Sequence, residues 1–164
     1  MVNIVSHESL TAVYYANIYS HLAYGIIFWG NSSAANKPFS AHKRAIKALL
    51  ITSGRPLFQF LKCLTLPCLY ILSCLMFAKN NLHLFPFNSS IHSHYTRQNS
   101  NIHLYDHSLA LSLKAPQHSI SQIYNKLPEN IKGCLSNKSF KSHAINLLTQ
   151  KAYYSVHEYL NDNL

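Results

Sequence analysis

Apolar residues recur every three or four positions through the first part of the chain. Leu10, Val13, Tyr14, Ile18, Leu22, Ile26 and Trp29, with His21 and Gly25 among them, line one side of a helical wheel. The spacing predicts an amphipathic helix over 10–29, with Ser6 placed to cap its start and Gly30 to end it. A polar turn at 31–38 separates it from a second expected helix at 39–50, which carries Ile46, Leu49 and Leu50 on one side and Lys43, Arg44 and Lys47 on another. Gly54 and Pro56 punctuate the chain before a short helix at 57–61, and Pro67 suits the first turn of a helix reaching Ala78. Residues 63–78 carry no charge at all, which predicts a helix buried on every side.

From 80 to 119 the periodicity fails. Polar residues, Pro86, Pro116 and many histidines predict a long irregular loop, and the loose alternation at 103–114 leaves room for one short β-hairpin. Helical spacing returns at 119–127, then at 139–154 with Phe140, Ala144, Leu147 and Leu148 on one face, and last at 156–160. The expected fold is mainly α: a small bundle of about five to six helices within one domain, made of a helical region at 1–80, a His-rich loop or hairpin at 81–118 and a C-terminal helical region at 119–164.

Charge then narrows the classes of function. Fourteen Lys and Arg against five Asp and Glu give a net charge of +9, which favours polyanionic partners, nucleic acid or an anionic membrane. The five acids, Glu8, Asp106, Glu129, Glu158 and Asp162, are scattered, so no nearby pair can hold two Mg²⁺ ions or divide acid and base roles. No catalytic residue, cofactor or metal site is expected. Cys63, Cys68 and Cys74 lie in one apolar stretch with Cys134 far off, a pattern of buried reduced thiols rather than a disulfide framework. Residues 1–7 lack the basic and apolar regions of a secretory leader, and the expected setting is intracellular, nucleus or cytoplasm.

Three constellations carry candidate chemistry. Lys43, Arg44 and Lys47 fall within about one helical turn and, with Arg55, suit successive phosphates, though an ordinary solvated helix face explains the cluster equally well. His83, His92, His94, His103 and His107 have no finger spacing, so solvent-exposed or hydrogen-bonded histidines, or anion contact alongside Arg97 and Lys114, are preferred to a metal. Residues 57–78 reach membrane-spanning length only by including Gln59 and Lys62, and a buried helix is preferred.

Several separated motifs point to a family. Ser20-His21-Leu22, Tyr24-Gly25-Ile26 and Trp29-Gly30, followed by Lys43-Arg44-Ala45-Ile46-Lys47, come first. Arg55-Pro56-Leu57-Phe58, Leu64-Thr65-Leu66-Pro67-Cys68 with Tyr70, His92-Ser93-His94-Tyr95-Thr96-Arg97 and Tyr124-Asn125-Lys126-Leu127-Pro128 follow in order. Together, and with the closing helix and tail at 140–160, they resemble the segment after the catalytic palm in reverse transcriptases of non-LTR, jockey-like retrotransposons. The chain departs from the family pattern at 51–54, where relatives have a longer connection, and at Tyr95, usually Asn.

The resemblance implies a truncated piece equivalent to the polymerase thumb and C-terminal helices. The palm aspartates, which follow a Tyr as an Asp-Asp pair, have no counterpart here. Such a piece is non-catalytic and grips RNA or an RNA–DNA duplex through its phosphates, beside the palm of the parent enzyme. The residues implied in those contacts are Lys43, Arg44, Lys47, Arg55, His94, Arg97, Lys114 and Lys126. Two other readings stand beside it: a decayed remnant without molecular function, and a small basic protein anchored in a membrane through 57–78.

Overall fold

In the computed structural model, which describes residues 7–49, 54–91, 97–105 and 115–164, the first amphipathic pattern folds as a jointed rod. Helix α1 (His7–Tyr14) passes through a π-helical stretch (Tyr15–Tyr19) into α2 (Ser20–Ala23). Asn17 Nδ2 donates to the Val13 carbonyl at 3.1 Å and Ser20 Oγ to the Ala16 carbonyl at 2.5 Å, side-chain bonds of a kind that bend the local ladder. Tyr24 then turns extended and Gly25 takes φ +58°, before α3 (Ile26–Trp29) resumes. The expected continuous helix is thus broken. Gly25, which the spacing placed on the apolar face, is a joint because glycine enters the left-handed region without a Cβ clash. Trp29 Nε1 closes the corner on the Tyr24 carbonyl at 3.0 Å. Ser6, the expected cap, lies outside the described residues.

Helix α4 (Asn36–Leu49) begins three residues before the expected start, because Pro38 fits its first turn. It buries Phe39, His42 and Ile46 at helical spacing, while Leu50 lies outside the described residues. Helix α5 (Arg55–Phe60) has Pro56 in its first turn and ends in a Schellman-type turn: Cys63 N donates to the Phe58 carbonyl and Lys62 N to that of Gln59, with Lys62 at φ +51°.

The uncharged run becomes α6 (Leu66–Asn80), the central element. Thr65 caps it, accepting from Cys68 N at 3.2 Å while its hydroxyl donates to the Tyr153 carbonyl at 2.5 Å. Ten of its residues are buried, as expected of a helix apolar all round. Gly30 lets the α3 end approach it: a Cβ there meets the Tyr70 ring at 2.6 Å.

The described parts of the polar middle are mostly irregular, as expected. They hold a short 3-10 turn (Leu82–Leu84), the one-turn α7 (Asn88–Ile91) and a single antiparallel bridge between Phe87 and Ile102. Among the described residues no strand forms; most of the proposed hairpin, 106–114, lies outside them. Helix α8 (Pro116–Lys126) packs on α6, the one-turn α9 (Glu129–Lys132) follows Pro128, and α10 (Asn137–Lys151) covers another side of α6. Ala152, left-handed at φ +48°, stops α10 before the expected Tyr154, and α11 (Val156–Asn161) closes the chain. As expected, 57–78 holds two helices, a short one and a buried one, with a turn between them, and no described helix is long and apolar enough to cross a membrane.

Two apolar cores result. The larger surrounds α6 with Ile26, Ile123, Phe140, Leu148 and Tyr159; the smaller joins α1, α4 and α5 through Tyr14, Ile46, Leu57, Phe58 and Cys63.

Candidate nucleic-acid interface

Helical geometry fixes the cationic face. With Phe39, His42 and Ile46 turned inward, Lys43, Arg44 and Lys47 point outward and are exposed, Lys43 and Lys47 about 6 Å apart along the axis. Lys43 Nζ stands 4.7 Å from the Phe39 ring centre and 5.8 Å from that of Tyr154, so its ammonium lies over aromatic surface while the residue stays exposed to water.

Tyr154 links this helix to the rest of the site. Phe39 and Phe58 meet its ring edge-on at 5.3 and 6.3 Å, and the Arg55 guanidinium lies 4.9 Å from its centre. Arg55 Nη2 also pairs with Glu158 Oε1 at 2.7 Å, and the other Glu158 oxygen accepts from Tyr154 N at 2.9 Å. Burial pushes the Tyr154 phenol up, opposed by the positive charge of Arg55.

Beneath the cations His42 is uncharged at neutral pH. It lies 1% exposed, stacked on Tyr14 with Nε2 2.8 Å from the Tyr14 hydroxyl, and burial lowers its pKa to about 4. It adds packing to the face but no charge.

The remaining candidates sit elsewhere. Lys126 lines a pocket of about 570 Å³ that also takes in Gln98, next to the exposed turn bearing Arg97. Neighbouring Asn125 is structural: its Oδ1 accepts from Ile102 N at 2.8 Å and its Nδ2 donates to the Ile102 carbonyl at 2.7 Å, replacing a β-partner. His94 and Lys114 lie outside the described residues, as do His92 and His107. The structure thus brings Lys43, Arg44, Lys47 and Arg55 together around Tyr154, whereas Lys126 lines a separate pocket.

Glu129, Glu158 and Asp162 are each engaged. Glu129 pairs with Lys132 at 2.9 Å, Glu158 with Arg55, and Asp162 with Lys151 at 2.8 Å while also accepting from the Tyr153 hydroxyl at 2.6 Å. No described ion pair involves Lys43, Arg44 or Lys47. Lys132, 8% exposed in its side chain, also donates to the Asn125 carbonyl and Asn101 Oδ1, so its charge ties the 97–105 segment to α8 and α9.

Three of the described cysteines are tied into the structure. Cys134 lies 3.8 Å from His143 Nδ1, but that nitrogen is 2.8 Å from the Ser139 carbonyl, which only accepts. Nδ1 therefore carries its proton toward Ser139 and is not a base for the thiol. Burial raises the Cys68 and Cys74 thiols to about 11 and about 12, which keeps them protonated within the core. Among the described residues no three His, Cys, Asp or Glu side chains converge to hold a metal ion.

No protein-family model matches the chain, and neither a curated protein nor a solved structure matches it.

Proposed function

We propose that the chain is a non-catalytic nucleic-acid-binding piece of a retrotransposon reverse transcriptase, equivalent to its thumb, that holds RNA or an RNA–DNA duplex through the phosphate backbone. The polymerase assignment rests on the ordered motifs from Ser20 to Pro128. What supports backbone binding is the exposed row of Lys43, Arg44 and Lys47, which no described ion pair involves, while Glu129, Glu158 and Asp162 are paired with other cations. Cations in such a row neutralise phosphates and release counterions, without reading base edges.

Binding to an RNA–DNA duplex is therefore expected to be weak, indifferent to sequence and strongly salt-dependent. Each lost phosphate contact reduces the slope of log affinity against log salt by about 0.9, so replacing Lys43, Arg44 and Lys47 together by Gln is expected to reduce it by about 2 to 3. Fluorescence anisotropy of a labelled duplex measures both. Absence of binding at low salt, or an unchanged slope in the triple variant, refutes the reading.

A further inference from the structure

The cationic row borders a pocket of about 330 Å³, between α4 and α5, whose chemistry exceeds what phosphate contact requires. Lys43, Arg44 and Lys47 rim it, Ser40 stands at its edge, and Leu57, Phe58 and Tyr154 form its base. Phosphate is strongly hydrated and gains nothing from apolar carbon, whereas a flat ring gains from burial against it. The volume falls at the small end of ligand pockets, about 300–1,000 Å³. The larger pocket beside Lys126 offers less: Asn125 is committed to the Ile102 backbone, Asn88 to His103 and the Gln98 carbonyl, and Asn101 to Lys132.

We infer that the pocket between α4 and α5 receives an unstacked base of a single-stranded nucleic acid, whose flanking phosphates lie on Lys43, Arg44 and Lys47. This rests on the backbone-binding reading and refines it. Paired bases inside a duplex are stacked and cannot enter, so duplexes engage only the cations, while a single strand engages both parts. Any base has a flat face, so the pocket adds affinity without sequence preference. Charge complementarity selects the occupant: three cations surround the opening and no described carboxylate lines it.

The test compares three labelled 12-mers of equal phosphate number per strand, at one salt concentration, with the full chain: a DNA single strand, the same backbone lacking all bases, and a blunt duplex. The base-bearing strand is expected to bind at least about tenfold tighter than the abasic one, the increment typical of one stacked base. Ser40 is exposed on α4 and lines the pocket, so Ser40→Leu narrows it with a side chain that offers no flat face for stacking while leaving every cation in place; circular dichroism checks its fold. That variant is expected to bind both single strands alike, with the wild-type salt slope. Independently of any substitution, a nucleoside monophosphate is expected to displace the strand at about tenfold lower concentration than inorganic phosphate or octanoate. Equal binding of base-bearing and abasic strands overturns the pocket but leaves backbone binding standing. A base preference that survives in a folded Ser40→Leu chain, or octanoate displacing as well as the nucleotide, also overturns it. Failure of all three oligomers to bind at low salt overturns the underlying reading instead.

Discussion

His42 lies at the meeting of charge, burial and acidity. Its ring is enclosed by Tyr14, stacked at 5.8 Å, and Phe58, edge-on at 5.3 Å. No charged side chain is in described contact with it, so nothing nearby compensates a proton taken up there. In the folded protein the ring resists protonation down to about 4, whereas the unfolded ring takes its proton near 6.5. Between those values the unfolded chain binds more protons, so stability falls as pH falls, by at most about 3 kcal/mol over the window. Asp162 acts lower on the scale. Hydrogen bonds from Lys151 and Tyr153 hold its carboxyl below 3.8, so the stability it contributes is lost only as pH drops beneath that value. Urea midpoints measured at pH 7 and pH 4.5 are expected to fall in the wild type and to fall much less in His42→Gln. A wild-type midpoint that is flat over this range contradicts the burial argument.

At the level of elements, the end of α5 carries stored strain. Lys62 occupies the left-handed position of the Schellman turn, where glycine is the usual residue and another L-residue costs about 1 kcal/mol. The side chain is exposed, so nothing is lost by removing it. Lys62→Gly is expected to stabilise the chain by up to about 1 kcal/mol, raising Tm by about 2–4 °C; a lower Tm refutes this account of the turn. Such turns explain which parts of the fold were legible in the sequence. The central helix α6 was, because an uncharged run bounded by Pro67 and Lys79 has one simple solution, and so was the face of α4, because residues four apart on a helix share a side by geometry. The joint at Gly25 was not, since periodicity continues across it and only the φ +58° of a single residue interrupts the helix. One-turn α9 is too short to carry a period at all. At the site, the cations were visible locally, but Tyr154 and Glu158 reach them from about a hundred residues away. Ser155 caps α11, its Oγ accepting from Glu158 N at 3.0 Å, but nothing in that local pattern says that the same Glu holds Arg55.

Over the whole molecule, the C-terminal tail decides where positive charge is left uncovered. Tyr159 is fully buried and donates to the Ile123 carbonyl at 3.1 Å, which anchors α11 on α8 and so presents Glu158 to Arg55 and Asp162 to Lys151. A net charge of +9 is therefore not spread evenly: the tail's acids each pair with one cation, and no described ion pair involves the α4 row. Glu158→Gln removes the carboxylate beside the proposed interface while its amide oxygen can still accept from Tyr154 N. Because Arg55 is 45% exposed, the stability cost is expected to be small, about 0–1 kcal/mol. The freed guanidinium should add up to one phosphate contact, tightening duplex binding and steepening the salt slope by up to about 0.9. Asp162→Asn changes net charge by the same amount but releases Lys151 instead of Arg55. Anisotropy titrations of both variants separate the two causes: a gain confined to Glu158→Gln locates the contact at Arg55, whereas equal gains mean that overall charge, and not the grouping around Tyr154, governs binding.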